Sequence, residues 1–204
     1  NKQAVVCRKD VPGFIINRLF IPMVHEACFL KDRTSATLEE IDSAVKFNLG
    51  FPMGIFELAD FTGMDVIHKA TVEMHLRDKK VISPHPLVEK MFDEKKLGQK
   101  SGEGYYKYSD DKYERVALSE ELAAKCNPIQ IVANILNNAA WLITNGASDI
   151  EEIEKAAQLG LGLKKPLFET AKEIGIKKIV DELSKLAEEH GEFYKPDPLL
   201  VSMQ

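Results

Sequence analysis

What this 204-residue chain lacks excludes several classes of protein before any motif is read. It has only three cysteines, Cys7, Cys28 and Cys126, an odd number with no Cys-x-x-Cys pair. That argues against a disulfide framework and a zinc site and fits a reducing, cytoplasmic setting. No apolar run comes near the roughly 20 residues that a membrane-crossing helix needs. The N-terminal stretch Asn1-Lys-Gln-Ala-Val-Val-Cys-Arg8 is too short and too charged for a signal peptide. Basic charge is not in excess: 27 Lys and Arg stand against 32 Asp and Glu, for a net charge of -5. With the basic residues scattered among acidic ones, no nucleic-acid partner is implied. Glycine is sparse as well, and the pairs Gly102/Gly104 and Gly160/Gly162 lack the third glycine and preceding strand of a dinucleotide fingerprint, so the chain holds no Rossmann site of its own. An initiator Met is also missing, and together with the strand-like Ala4-Val-Val-Cys7 this gives the expectation that the first residue lies at an internal domain boundary.

What is present is an all-α pattern. A hydrophobic content of 45% can fill one large core or two domains of about 100 residues. Ile16, Leu19, Phe20, Met23, Ala27 and Leu30 keep the spacing of one buried helix face and predict a long first helix. Thr37-Leu-Glu-Glu40 is a capping-box signature for a second, ending near Gly50. A short helix over 55–61 should close at Gly63, and another over 65–76 should turn Val66, Ile67, Ala70 and Met74 inward. Pro84 and Pro86 interrupt the pattern, a helix over 87–96 should stop at Gly98, and Gly102-Glu-Gly104 leads into an extended aromatic tail, Tyr105-Tyr-Lys-Tyr108.

The pattern occurs twice. Shifting the sequence by 112 residues lays Glu26–Met91 on Asn138–Met203 without a gap. Glu39-Glu-Ile41 falls on Glu151-Glu-Ile153, Gly50 on Gly162, Phe56-Glu57 on Phe168-Glu169, Gly63 on Gly175, and Pro84-x-Pro-Leu87 on Pro196-x-Pro-Leu199. The matches sit at caps, turns and core positions, where a shared backbone demands them. The expected organisation is a first helical domain over 1–108, a linker over 109–127 with the polar run Ser109–Glu114, and a second, degenerate copy over 128–204 with an assembly role. Two such copies would bury matching faces as a pseudo-dimer within one chain.

Asn17 is the first candidate for chemistry. A neutral amide at an apolar helix start can orient a carbonyl or hydroxyl without titrating; the plainer reading is an Asn bonded to its own backbone. The second copy has Ile129 there. Lys100, beside Ser101 and Gly102 on a turn, could reach a phosphate or ribose, or could be an idle loop lysine. His25, His68, His75 and His85 lack metal or catalytic spacing and read as surface or capped histidines. Phe51-Pro-Met53 reads as channel lining or ordinary core, and its counterpart Lys164-Lys165 as a solvated pair.

In sum these residues resemble the C-terminal helical region of the 3-hydroxyacyl-CoA dehydrogenases, present as a tandem. The resemblance rests on Asp10-Val-Pro-Gly-Phe-Ile-Ile-Asn-Arg-Leu19, on Glu40-Ile-Asp42, Leu49-Gly-Phe-Pro-Met-Gly54 and Phe56-Glu-Leu58, and on Lys100-Ser-Gly-Glu-Gly-Tyr-Tyr-Lys107. It implies NAD-dependent oxidation of a 3-hydroxyacyl-CoA to the 3-ketoacyl-CoA, in β-oxidation or its reverse, by a His-Glu pair on an N-terminal Rossmann domain outside this chain. By motif, Asn17 falls on the family's active-site Asn and Lys100 on a lysine that contacts NAD. The family's Pro-Met-Gly-Pro loop reads Pro52-Met-Gly-Ile55 here, which weakens any acyl-chain contact carried over to it. Tandem members resemble multifunctional enzymes, some of which continue into an enoyl-CoA hydratase domain. The chain alone is then expected to be inactive. The alternatives are a purely structural helical interaction module and a related dehydrogenase acting on a non-CoA hydroxy acid.

Overall fold

The computed structural model describes residues 3–109 and 112–204. The first copy consists of α1 (Ile16–Arg33), α2 (Leu38–Ser43) prolonged by a π-turn over Ala44–Asn48, α3 (Ile55–Thr62), α4 (Met64–Arg77) and α5 (Pro86–Asp93). A short helix, α6 (Glu120–Ala123), leads to the second copy: α7 (Ile129–Thr144), α8 (Ile150–Leu161), α9 (Leu167–Ile174), α10 (Ile176–His190) and α11 (Pro198–Ser202). Among the described residues the only strands are Tyr108–Ser109 and Lys112–Tyr113, paired as a hairpin. The fold is all-α, as the periodicity predicts.

The 112-residue shift holds in the structure. Moved by that amount, the bounds of α3 become those of α9, and α4 and α5 begin where α10 and α11 begin. The fixing chemistry repeats too. Thr37 caps α2 in a reciprocal box with Glu40, and Asp149 caps α8 by accepting the Glu152 N–H at 2.9 Å. Asp42 accepts the Phe56 and Glu57 N–H groups at the start of α3; Glu154 accepts those of Leu167 and Phe168 at the start of α9. Gly63 and Gly175 turn α3 into α4 and α9 into α10 at φ +99° and +102°. His85 Nδ1 accepts the Leu87 N–H at α5, and Asp197 accepts the Leu199 N–H at α11.

The copies share one core, and α1 packed along α7 is its most extensive helix pair. Every residue of α1 from Arg18 to Cys28 is buried, which marks a central helix instead of a surface one. Polar groups cross the seam. Arg33 donates to Glu26 at 2.7 Å in its own copy and to Gln130 and Tyr194 in the other, while the Tyr194 hydroxyl donates to Glu26 at 2.7 Å. The Arg18 guanidinium lies 3.3 Å over the Trp141 ring, and burial lowers its pKa to about 10. The tandem is a pseudo-dimer inside one chain.

Several local expectations are corrected. Val66 is 47% exposed, because the inward stripe of α4 runs through Ile67, Thr71 and Met74, one residue off Val66. The helix after Pro84 stops at Asp93, and Lys95 is left-handed at φ +59°. Val5 to Lys9 joins no sheet; it runs extended along the second copy, where Arg8 N–H donates to the Ala147 carbonyl at 2.7 Å and Val6 N–H to Glu152 at 2.8 Å. The stretch between the copies is built into the fold: Tyr113 packs on Tyr106 and Tyr108, and the Ala123 carbonyl of α6 accepts from Asn48 at 3.2 Å. Asp110 and Asp111 of that stretch lie outside the described residues.

Candidate functional site

The turn before α1 sets the site. Gly13 sits at φ +78°, and a Cβ there would lie 2.8 Å from both the Arg18 nitrogen and the Met74 side chain, so conformation and space both require glycine. Phe14 follows at φ +49°, an uncommon state for a bulky residue, with its ring largely in solvent. Hydrogen bonds from Phe14 N–H to Val11 and from Arg18 N–H to Gly13 hold the turn. Asn17 therefore enters the first turn of α1 exposed, and no side chain caps that helix start. The backbone-capping reading of Asn17 is not what the structure shows. Asn17 lines, with Val5, Cys7, Phe14, Ile16 and, from the second copy, Ala156, a largely apolar recess of about 310 Å³.

No histidine lines that recess. His25 is buried elsewhere, its Nε2 2.9 Å from the Thr71 hydroxyl and its Nδ1 accepting the His85 N–H. Thr71 gives its proton to the Ile67 carbonyl, so His25 Nε2 is the donor, the ring is neutral, and burial drives its pKa down to about 3. His85 caps α5 and meets Asp32 at 2.9 Å, and His68 stacks on Phe92. Among the described residues no group of three metal-binding side chains comes together, and no helix is long and apolar enough to cross a membrane.

Lys100 occupies a 3-10 turn, Gln99–Ser101, and its exposed ammonium pairs with Asp65 in the first turn of α4. That hydrogen bond holds the Asp65 carboxyl below its ordinary range. The tail carrying Lys100 is fixed by Asp60, which accepts the Tyr105 and Tyr106 N–H groups at 2.8 and 2.9 Å and the Tyr108 hydroxyl at 2.7 Å. Asn17 and Lys100 do not share a pocket: Met74 packs beside the Asn17 turn, Asp65 holds Lys100, and the nine helical steps from Asp65 to Met74 span about 13 Å. Asp42, which holds the start of α3, lies in the Glu40-Ile-Asp42 motif but had no role assigned to it, and Asp60, which fixes this tail, lies in none of the motifs. Their available signal was a carboxylate placed among apolar residues of a short helix.

The family model described as 3-hydroxyacyl-CoA dehydrogenase, C-terminal domain, matches residues 13–108 and 130–204. Over 109 residues the chain is 44% identical to a probable 3-hydroxyacyl-CoA dehydrogenase of Caenorhabditis elegans, covering 52% of this chain and 35% of that protein. The same identity and share of this chain are found with the mitochondrial hydroxyacyl-coenzyme A dehydrogenase of Sus scrofa, with 34% of that protein covered. The chain thus spans about a third of the length of these relatives. A crystal structure of 3-hydroxybutyryl-CoA dehydrogenase from Escherichia coli K12 superposes with a TM-score of 0.79 over 99% of this chain and 61% of that one, at 23% identity, a likeness of fold.

Proposed function

We propose that this chain, which belongs to the 3-hydroxyacyl-CoA dehydrogenase C-terminal domain family, is the substrate-side and assembly part of an enzyme that oxidises 3-hydroxyacyl-CoA to 3-ketoacyl-CoA with NAD, in β-oxidation or its reverse. One observation carries the reading: the strained turn presents Asn17 as an uncapped amide beside an apolar recess, and only the first copy has it. An acyl thioester offers that pairing of a polar oxygen with an apolar chain. The Asn17 amide would donate to the reacting oxygen and fix its orientation, while the apolar walls exclude water.

The proton acceptor is not in this recess, so it is assigned to the His-Glu pair of an N-terminal Rossmann domain of the same protein. NAD, when bound, accepts the hydride. Of the residues here only the exposed Lys100 ammonium fits a dinucleotide, as one contact to a phosphate or ribose, and the remaining contacts are assigned to that Rossmann domain. Asn17 and Lys100, at the two ends of a stretch of α4, suit two parts of an extended ligand assembly. A following enoyl-CoA hydratase domain and a cytoplasmic setting belong to the same proposal, the latter supported by the free thiols of Cys7, Cys28 and Cys126.

The test is NADH formation from 3-hydroxybutyryl-CoA. The intact protein is expected to turn over and the 204-residue chain alone is not; appreciable turnover by the isolated chain sinks the division of labour. If the Rossmann domain supplied in trans recovers equal activity from this chain and from its Asn17→Ala, Lys100→Ala form, the chain is a scaffold only. A finer prediction concerns Lys100. In the intact enzyme Lys100→Ala should raise the KM for NAD about three- to tenfold and leave the melting temperature unchanged, since the Asp65 pair is exposed and contributes little to stability. Asp65→Asn frees the ammonium and should move that KM the other way.

A further inference from the structure

The second copy enters the Asn17 site itself. Ala156, on α8 and almost fully buried, lines the recess together with Val5, Cys7 and Phe14 of the first copy. One turn further, the Ile16 side chain rests on the backbone of Gly160, where an added Cβ would come within 2.5 Å of Ile16 Cδ1. Ala156 and Gly160 are four residues apart and share one helix face. Beyond the end of α8, Gly162 lies against Pro52, where a Cβ would come within 2.9 Å of the proline ring. The first copy has Ala44 and Asn48 where the second has Ala156 and Gly160, and Asn48 there reaches away to the Ala123 carbonyl. The second copy, lacking the active-site Asn, thus keeps small residues where its helix meets the first copy's Asn17 turn.

That wall is held in place. Val6 N–H donates to Glu152, Arg8 pairs with Asp149 at 2.5 Å, and the Ser148 hydroxyl donates to the Val6 carbonyl. These bonds tie the segment with Val5 and Cys7 to the start of the helix that carries Ala156. The recess is therefore bounded by both copies, with Ile16 and Ala156 among its lining residues.

We propose that α8 of the second copy sets the acyl-chain length accepted beside Asn17, with Ala156 as the specificity-determining residue and Gly160 fixing the position of Ile16. This rests on the dehydrogenase reading above. The second copy is then a wall of the substrate site as well as an assembly element.

The test is the chain-length profile of the intact enzyme, kcat/KM along a series from 3-hydroxybutyryl-CoA to 3-hydroxydecanoyl-CoA. Ala156→Leu should lower the ratio of longest to shortest substrate about tenfold or more, since each methylene's worth of space in an apolar pocket discriminates by about that factor. Ala156→Val should do so to a smaller extent, and Ile16→Ala, which widens the recess from the first copy, should raise the ratio. A ratio unmoved in Ala156→Val and Ile16→Ala, both checked for wild-type unfolding curves, overturns the proposal even if Ala156→Leu fails to fold. A uniform loss on all substrates does the same, because it marks a structural role. A wild-type enzyme that forms no NADH from any member of the series overturns the dehydrogenase reading itself, a result separate from an active enzyme with an unchanged profile.

Discussion

Asp42→Ala is expected to lower the unfolding free energy by about 3–6 kcal/mol, well beyond the matching change in the second copy, Glu154→Ala, at about 1–3 kcal/mol. Asp42 is fully buried and accepts three hydrogen bonds, from the Phe56 N–H at 2.8 Å, the Glu57 N–H at 3.1 Å and the Tyr106 hydroxyl at 2.9 Å. Its removal strands three donors in the core. Glu154 is only partly buried and serves two backbone donors, with no tail tyrosine above it. Urea unfolding of both variants decides the point: equal losses would show that the tail contributes nothing through Tyr106. A pH dependence accompanies this. Burial pushes the Asp42 carboxyl from its ordinary 3.8 up to about 7, against the pull of its hydrogen bonds. The folded state then holds a proton that the unfolded chain releases near pH 3.8, so this contribution is complete below about pH 4 and is lost as pH rises towards 7. Asp42→Asn, which does not titrate, should flatten that slope.

The helices and the repeat were legible because both are written locally. Caps such as Thr37 and turn glycines such as Gly63 act within four residues, and a second copy must restate them to rebuild the same backbone. The exposed Asn17 was legible as an exception, a polar residue in an apolar helix start. What the sequence hid depends on separations it does not display. Asp60 reaches Tyr106 across 46 positions, and Arg33 reaches Tyr194 across 161. His25 looks idle beside Glu26, yet its partners are Thr71 and the His85 backbone. The π-turn over Ala44–Asn48 adds a residue to a helix turn that apolar spacing alone reads as ordinary helix. Least visible was the approach of Gly160 to Ile16, since a glycine late in α8 gives no sign of the side chain laid against it.

Asn17→Ala in the intact enzyme is expected to lower kcat for 3-hydroxybutyryl-CoA about a hundredfold, with a small change in KM and an unchanged melting temperature. The stability expectation follows from exposure and from the lack of any side-chain cap at the start of α1, so the amide can be removed without stranding a partner. The kinetic expectation follows from placement. A donor carried at a helix start beside an apolar recess can meet the charge that develops on the substrate oxygen, and single donors of that kind are worth about 10²–10³ in rate. Lower kcat at near-constant KM is the sign of an interaction made chiefly in the transition state. Two further variants separate orientation from polarity. Asn17→Asp keeps the shape but loses the donor once ionised, so its rate should fall as pH rises through the carboxylate range, where the wild-type amide has no such response. Ile129→Asn, which writes the same residue into the second copy, should change nothing, because Pro128 precedes it and no Gly-Phe turn presents it. If Asn17→Ala turns over at the wild-type rate, the turn that holds Gly13 and Phe14 at positive φ shapes the helix start and nothing more.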